Sequence, residues 1–334
     1  MRRYVLDGSG TVDGLRLEEV DIPEPRRGEV LVRMRAVSLN FLDLKIIAGL
    51  FPANTTGLVP LSDGAGEVLA VGEDVWRFKV GDRVCSLFFP RWISGDIPAD
   101  ARAEQIGANR PGVLSDYVVF DQNAVTAAPA TLTFEEAATL PCAALTAWQL
   151  HTGARRVLPG ETVLTQGTGG VSLFALQFAR LAGALPVSTT SSPEKAQRLD
   201  AMGAAHVIDY RQIPEWGKHA RELTAGRGVD HIMEIGEAGT LEQSILAAAT
   251  GAQINLVGRP DKAPLIDPAL LMRALGTYRR ISVGSRTDFE AMSRAIDAHH
   301  VKPVIDRVFE ADEVLDAFHF FQGRGHFGKV VVRM

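Results

Sequence analysis

Cysteine is scarce in this chain of 334 residues, which contains only Cys85 and Cys142. Two cysteines cannot supply a disulfide framework or a structural zinc site with four cysteine ligands. No apolar run approaches the roughly 20 residues that a helix needs to cross a bilayer. The two arginines near the N-terminus are followed by no apolar core of the kind found in signal peptides. These absences predict a cytoplasmic protein that does not bind membranes.

The chain also lacks an excess of positive charge. Its net charge is -5 at pH 7 and its pI is near 5.9, which argues against binding to nucleic acid, because the phosphate backbone requires a concentrated basic surface. The composition, with 46% hydrophobic and 22% charged residues, is that of an ordinary globular protein. The length predicts about two domains.

Glycine, by contrast, is concentrated in the segment from Thr162 to Ala184, where Gly167, Gly169 and Gly170 fall within four positions. An apolar strand precedes these glycines and an apolar helix follows them. This arrangement points backbone N–H groups and a helix dipole at one spot, which suits a phosphate. One glycine makes the tight turn and another lets the backbone approach a pyrophosphate. Ser172 replaces the third glycine of the dinucleotide fingerprint, so the motif alone also permits a turn without a ligand.

The order of predicted elements separates two kinds of structure. The first 120 residues show several short strands with glycine turns, which predict a compact barrel or sandwich, and residues 89–112 form a long irregular loop typical of a lid or binding loop. From Thr133, which makes a capping box with Glu136, strands alternate with helices and predict an α/β, doubly wound parallel sheet. We assign residues 1–125 and 287–334 to the β-rich domain and residues 126–286 to an inserted nucleotide-binding domain.

The second strand of the α/β part ends without an acidic residue. In folds that bind NAD, an Asp or Glu about 20 residues past the first glycines holds the ribose 2′-hydroxyl. Here Ser191, Ser192 and Lys195 take that place, and their hydroxyls and ammonium suit the 2′-phosphate of NADP. The alternative is a helix capped by Ser192 that carries a solvated lysine. Tyr210 follows the third strand. The sequence permits two interpretations of this residue: it flanks the pocket for the 2′-phosphate, or it is an ordinary tyrosine at the end of a strand.

Five segments of the chain together resemble the medium-chain dehydrogenase/reductase superfamily and its zinc-free, quinone-oxidoreductase-like branch: AVSLNFLDLKIIAG, PLSDGAGEVLAVG, VGDRV, TLPCAALTAW and QGTGGVSLFALQFAR. The resemblance covers nearly the whole chain. It implies a GroES-like catalytic domain, a Rossmann domain that binds NAD(P), and hydride transfer to a small-molecule substrate in the cleft between them. It also implies a homodimer formed through the edge strand of the Rossmann sheet, here residues 280–283.

The zinc ligands of the superfamily are replaced in this sequence. Zinc-dependent members place a cysteine, a His-Glu pair and a further Cys or Glu at positions that here hold Asn40, Ser62-Asp63 and Cys142. Catalytic zinc needs three protein ligands of the His, Cys or carboxylate kind, and Asn40 and Ser62 are poor ligands. We therefore expect no zinc and a buried, apolar role for Cys142. The alternative is an alcohol dehydrogenase that recruits zinc through Asp63 and Cys142.

Without a metal, the expected reaction is NADPH-dependent hydride transfer to a quinone or to the C=C bond of an α,β-unsaturated carbonyl compound. The candidate catalytic residues are Asn40, Asp43 and Lys45. The resemblance implies that Asn40 contacts the nicotinamide ribose or a substrate oxygen, and Asp43 is expected to fix the turn. Lys45 replaces the tyrosine of the quinone-reductase-like branch; it either donates a hydrogen bond to a developing enolate oxygen or is a solvated lysine. An NADPH-binding protein without turnover is the remaining alternative.

The expected contacts of NADPH lie in the glycine turn and after the strands of the Rossmann domain. For Arg259 a surface position is equally compatible with the sequence. The full set of expected cofactor-binding residues is Thr146, Gly167, Thr168, Gly169, Gly170, Val171, Ser191, Ser192, Lys195, Tyr210, Gly236, Val257, Gly258 and Arg259.

Overall fold

The computed structural model describes residues 1–235, 239–257, 267–273 and 275–334. The chain forms two compact units, of which the second is inserted into the first: Met1–Leu145 with Val283–Met334, and Thr146–Ser282. Residues 126–145 and 283–286, which the sequence assigns to the nucleotide-binding domain, thus cluster with the first unit. One reason is Thr131, whose main-chain N–H and hydroxyl donate hydrogen bonds to the Asp297 carboxylate at 2.9 and 2.8 Å.

The N-terminal part of the first unit is built mainly of strands. They are β1 (Arg2–Leu6), β2 (Leu15–Glu19), β3 (Glu29–Ser38), β4 (Asp63–Val71), β5 (Arg83–Ser86), β6 (Tyr117–Asp121) and β7 (Val125–Ala127), with helices α1 (Phe41–Ile47) and α2 (Phe134–Ala137). The predicted irregular loop at residues 89–112 contains one 3₁₀ turn, Ala101–Glu104.

The helix predicted to start after Thr133 is shorter than expected. Its capping box is confirmed, since Thr133 Oγ1 accepts a hydrogen bond from Glu136 N at 3.2 Å and Glu136 Oε2 accepts one from Thr133 N at 2.8 Å. The α-helix then ends, and a π-helical turn, Leu140–Ala144, leads into α3 (Leu145–Thr152). Pro141 lies in this turn, and a proline cannot donate the N–H that a regular helix requires.

The second unit is a doubly wound α/β structure, as predicted. Its elements are β8 (Thr162–Gln166), α4 (Gly170–Leu181), β9 (Leu185–Thr190), α5 (Pro193–Ala201), β10 (His206–Asp209), α6 (Trp216–Leu223), β11 (Val229–Glu234), α7 (Thr240–Ala247), β12 (Ala248–Val257), α8 (Pro268–Arg273) and β13 (Thr277–Ile281). The six strands are parallel and lie in the order β10-β9-β8-β11-β12-β13. The order reverses between β8 and β11, and ligands of such sheets bind at the carboxyl ends of the strands at this point.

The chain then returns to the first unit, as the sequence predicts, through α9 (Arg286–His299), β14 (Ile305–Glu310), α10 (Val314–Gln322) and β15 (Lys329–Arg333). The sheet there runs β14-β15-β3-β4-β5-β7, and β6 also pairs with β3. Ser38, the last residue of β3, pairs with Asp63 of β4 on one side and with Val331 of β15 on the other. This pairing brings the end of β3 and the beginnings of β4 and β15 together.

Each unit has its own apolar core. Valines of β3, β4 and β15 pack with Phe309 and Phe318 in the first unit, whereas Leu164, Ile232 and Ile254 of three adjacent parallel strands are fully buried in the second. Strands covered on both faces read as continuous apolar runs, which made the central strands visible in the sequence. The edge strand predicted at residues 280–283 begins three residues earlier, as β13 (Thr277–Ile281), and its sequence TYRRI is not an apolar run. Among the described residues, no helix is long and apolar enough to span a membrane.

Candidate functional site

The glycine turn lies between β8 and α4, as predicted. Gly167 has a φ of +70°, a left-handed conformation that favours glycine, and its N–H donates to Thr189 O at 2.9 Å. Gly169 is the N-cap residue of α4. The hydroxyl of Ser172 donates to Gln166 O at 2.7 Å. Serine can therefore replace the third glycine of the fingerprint, because its side chain folds back and satisfies the last carbonyl of β8.

Open space faces the turn. A methyl group on Gly167 or Gly169 would meet no described atom within 4 Å. At Gly169 the backbone φ is −75°, which every residue adopts, so neither strain nor crowding within the described protein calls for glycine there. A ligand bound against the helix N-terminus would explain the glycine, because a side chain at this position would collide with it. A pyrophosphate is the group that such a turn binds. The turn therefore fits a dinucleotide.

The predicted recognition residues for the 2′-phosphate lie at one edge of the same sheet. Ser192 caps α5, and its Oγ accepts a hydrogen bond from Lys195 N at 3.4 Å. Thr190 of β9 pairs with Asp209 of β10, and the N–H of Tyr210 donates to Thr190 O at 3.0 Å. Tyr210 thus follows β10 beside the serines that follow β9, and it is 41% exposed.

A buried acidic network, which the sequence reasoning missed, joins the ends of β8 and β11. The Glu234 carboxylate accepts hydrogen bonds from Gln166 Nε2 at 2.9 Å, Ser244 Oγ at 2.6 Å and Thr240 Oγ1 at 2.5 Å. Gln166 Oε1 in turn accepts from the N–H of Ile235 at 3.2 Å. The network fixes the two strand ends at which the strand order reverses. The available signal was an acid at the end of the apolar run VDHIMEIG.

The remaining predicted cofactor contacts of the second unit have different outcomes. Thr146 is buried in α3, and Val257 is the last residue of β12. Gly236, Gly258 and Arg259 lie outside the described residues.

In the first unit, Asn40 and Asp43 meet at the end of β3. Asn40 is the N-cap residue of α1, and the Asp43 carboxylate accepts a hydrogen bond from its main-chain N–H at 2.7 Å. Both residues are buried.

Lys329, the first residue of β15, completes this arrangement and was not foreseen. Its ammonium donates to Leu39 O and to Asn40 Oδ1, both at 2.6 Å, although the residue is only 3% exposed. Lysine is almost never fully buried without a partner. The signal in the sequence was a lysine at the start of the apolar run VVV in GKVVVRM.

Asp63 contributes the second carboxylate. It accepts hydrogen bonds from Ser62 Oγ at 2.7 Å and from the main-chain N–H of Cys142 at 3.0 Å. The residue before the Ser62-Asp63 pair, Leu61, has a φ of +69°, a conformation that is uncommon outside glycine and often marks functional sites. Cys142 itself is partly exposed rather than fully buried as expected.

Burial and mutual charge shift the pKa values of this group. Burial, followed by the nearby charge of Asp63, raises the pKa of Asp43 to about 7. Burial also raises the pKa of Asp63, although the Lys329 ammonium opposes that effect. Burial lowers the pKa of Lys329, and the charge of Asp63 opposes it. Two acids and one ammonium thus share a desolvated site in which the protonation of each depends on the others.

The residues at the zinc-ligand positions do not suit zinc. Asn40 offers an amide oxygen that is already bonded to an ammonium, and Ser62 offers a hydroxyl. Asp63 and Cys142 then remain, which are two candidate ligands where catalytic zinc requires three. Within the described part of the chain, no group of three or more His, Cys, Asp or Glu side chains is placed to hold a metal ion.

Lys45 lies on the other side of its helix turn from the buried Asp43. Its Nζ is 5.2 Å from the centroid of the Phe41 ring, and Arg324 Cζ is 4.8 Å from the same centroid. Phe41 is exposed. The cation–π contact accounts for the position of the lysine, and its catalytic role stays a prediction.

Comparisons with known proteins agree with the fold described above. A family described as an alcohol dehydrogenase GroES-like domain matches residues 26–130, and one described as a zinc-binding dehydrogenase matches residues 170–298. A zinc-type alcohol dehydrogenase-like protein of Schizosaccharomyces pombe is 40% identical, with 99% of each chain covered. A 2-methylene-furan-3-one reductase of Solanum lycopersicum is 29% identical over 99% of this chain and 79% of its own. A quinone oxidoreductase of Pseudomonas syringae superposes with a TM-score of 0.83 at 26% identity, over 100% and 99% of the two chains.

Replacing Gly169 by alanine separates folding from dinucleotide binding. Because φ is ordinary and the space is open, Gly169→Ala should change the free energy of unfolding by less than about 1 kcal/mol. The methyl group would enter the space for the pyrophosphate, and the dissociation constant of NADPH should rise about tenfold or more, or roughly 1.4 kcal/mol. Fluorescence titration with NADPH and urea unfolding measure the two effects.

The matched control is Gly325→Ala, since Gly325 also has open space and no left-handed backbone. It should leave both quantities unchanged. Unchanged affinity in Gly169→Ala would show that the turn does not bind the dinucleotide.

Replacing Asp43 by asparagine should remove a pH dependence of stability. The folded pKa of about 7 lies above the ordinary value of 3.8, so the folded protein holds a proton that the unfolded chain has released. Stability from this group therefore falls as pH rises between these values. Asp43→Asn should gain stability relative to the parent protein as pH rises from about 5 to about 7, as measured by urea unfolding.

Asp297→Asn is the control with the opposite sign. Burial acts to raise the pKa of Asp297, but hydrogen bonds from Thr131 and Ala130 hold this pKa below its usual range. The stability that Asp297 contributes is lost only as pH falls through that lowered pKa. The difference in the free energy of unfolding between Asp297→Asn and the parent should therefore be constant from about pH 5 to about pH 7. A constant difference for Asp43→Asn as well would refute the assigned shift.

Proposed function

The chain belongs to the medium-chain dehydrogenase/reductase superfamily, and from this membership we propose that it is a metal-independent oxidoreductase that uses NADPH to reduce a quinone or an α,β-unsaturated carbonyl compound. The observation that carries the proposal is the buried ammonium of Lys329, which donates a hydrogen bond to Asn40 at one of the missing zinc-ligand positions and whose charged form is favoured by Asp63 at another. An ammonium bonded to the Asn40 amide is incompatible with a divalent cation at that amide. The acceptor must then be electron-poor enough to react without a Lewis acid.

The residues that would hold NADPH are those of the glycine turn and of the edge beside it. Gly167 and Gly169 leave room for the pyrophosphate at the N-terminus of α4. Ser191, Ser192 and Lys195 would bind the 2′-phosphate, since hydroxyls and an ammonium are donors to phosphate oxygen. When bound, NADPH supplies a hydride to the acceptor.

The relatives support the choice of acceptor class. One solved structure at 26% identity is a quinone oxidoreductase, and a relative at 29% identity is a 2-methylene-furan-3-one reductase. Both names describe acceptors in which a carbonyl oxygen is conjugated to the carbon that is reduced. We assign the donation of a hydrogen bond to that oxygen to Asn40, which is buried at the end of β3.

An alcohol dehydrogenase with a non-standard zinc site is the second candidate. The name of the Schizosaccharomyces pombe relative favours it. The side chains at the ligand positions oppose it, because Asp63 and Cys142 supply two of the three ligands that catalytic zinc requires.

We further propose that the chain forms a homodimer through β13. In the described part of the second sheet, β13 pairs with β12 on one side and lies at the edge. An edge strand presents unpaired N–H and C=O groups to a second strand, and a copy of the same chain can satisfy them symmetrically.

The direct test is turnover. The purified protein should oxidise NADPH in the presence of 1,4-benzoquinone or but-3-en-2-one, with no change on addition of zinc. Binding of NADPH without turnover of any quinone or enone would favour a nucleotide-binding protein without an enzymatic role. Oxidation of alcohols with NADP that depends on added zinc would favour the second candidate.

The choice of NADPH over NADH has its own test. The parent protein should bind NADPH more tightly, and Lys195→Ala should narrow the ratio of the two dissociation constants by about tenfold, since a hydrogen bond to a charged group contributes roughly 1.5–3 kcal/mol. Lys218→Ala, which removes an exposed lysine of the same unit, should leave the ratio unchanged. Equal affinity for both nucleotides in the parent would overturn the assignment.

A further inference from the structure

We infer that Lys329 is a positioning residue that fixes the side-chain amide of Asn40, so that Asn40 can only donate a hydrogen bond to its ligand, and that the ligand group there is a carbonyl oxygen. The identity of the ligand group, a carbonyl oxygen of the acceptor, rests on the proposed function. The role of Lys329 rests on the geometry of the first unit alone.

The chemistry of the two side chains fixes the orientation of the amide. An ammonium has three donors and no acceptor, whereas an asparagine amide has an oxygen that accepts and an NH₂ group that donates. Lys329 Nζ lies 2.6 Å from Asn40 Oδ1, so the oxygen must face the lysine. A flipped amide would place two donors against each other. The Nδ2 group of Asn40 is therefore turned away from Lys329.

The Nδ2 group has no hydrogen-bond partner among the described residues, and it is buried. The Asn40 amide acts to lower the pKa of the Asp63 carboxyl by favouring its charged form, yet no hydrogen bond of normal geometry joins Nδ2 to that carboxylate. A buried donor left without a partner costs about 1–3 kcal/mol. A ligand that offers an acceptor oxygen or nitrogen at this position would complete the bond and remove the cost.

Lys329 is itself held rigidly against the backbone that carries Asn40. Its ammonium donates to Leu39 O at 2.6 Å, and the N–H of Leu39 donates to Val330 O at 3.0 Å. The residue next to Lys329 is thus tied to the residue next to Asn40. The carboxylates of Asp43 and Asp63 favour the charged form of the lysine. Asn40 is thus held at its side-chain oxygen by Lys329 and at its main-chain N–H by Asp43.

A carbonyl oxygen conjugated to the reacting carbon matches this donor. When hydride adds to the far carbon of an enone, a C–H bond forms, the C=C electron pair shifts and the carbonyl oxygen takes up the negative charge. A proton from water then adds to the carbon next to the carbonyl group, which gives the saturated carbonyl compound and hydroxide. A fixed N–H donor at that oxygen stabilises the charge as it develops and needs no reorganisation. In a quinone the same donor would face the oxygen that becomes a phenolate.

A double-mutant cycle tests the inference. Asn40→Ala, Lys329→Met and the double variant are compared for kcat and KM with 1,4-benzoquinone and for NADPH affinity. Removal of one such donor costs on the order of 100-fold in kcat, and Lys329→Met should lower kcat in the same direction. If Lys329 acts through Asn40, the double variant is as active as Asn40→Ala alone. If the two substitutions instead lower kcat independently, so that the loss in the double variant is the product of the two single losses, the inference is overturned.

Two further variants separate positioning from folding. Lys329→Arg retains a donor and should recover part of the activity, whereas Lys79→Met, at an exposed lysine of the same unit, should leave kcat unchanged. If Lys329→Met does not fold because two buried acids lose their cation, the cycle is repeated in an Asp63→Asn background, which restores the charge balance of the cluster.

A measurement without turnover distinguishes failure of this inference from failure of the proposed function. The side-chain NH₂ resonances of Asn40 are identified by their loss in Asn40→Ala. They should shift and exchange faster with water in Lys329→Met, even if the parent reduces no quinone or enone. Resonances that are unchanged by Lys329→Met would refute the positioning role, whatever the activity.

Discussion

The contact between the Lys329 ammonium and the Asn40 amide is the constraint on which the chemistry of the first unit depends. It joins the start of β15 to the end of β3 inside the protein, where an unpaired charge would be strongly unfavourable. Asp63 supplies the main compensating negative charge, and Ser62 and Cys142 N complete its hydrogen bonds. A cation is therefore part of this site, and a lysine side chain supplies it.

The two units carry separate parts of the proposed reaction. The second unit presents a turn whose open space and helix N-terminus suit a dinucleotide, and the Glu234 network fixes the strand ends beside it. We propose that selection of the acceptor belongs to the first unit, in which the Lys329 side chain orients one buried amide donor.

Local features of the sequence predicted local features of the structure well. The glycine turn, the alternating strands and helices, the Thr133 capping box and the Ser192 cap all depend on residues near each other in the chain. Lys329 was missed because it meets Asn40 across 289 positions, and the pairing of β15 with β3 is what joins them. Glu234 was missed for the same reason, since its partner Gln166 is 68 residues away. The π-helical turn at Pro141 shows the converse case, in which a periodic pattern predicted too long a helix.

The central claim is that this site works with an internal ammonium in place of a metal. Elemental analysis of the purified protein, combined with NADPH oxidation by a quinone before and after treatment with a chelator, tests it most directly. The account predicts far less than one zinc per chain and a rate that the chelator does not change. One zinc per chain, together with a rate that falls on chelation and returns on addition of zinc, would contradict it.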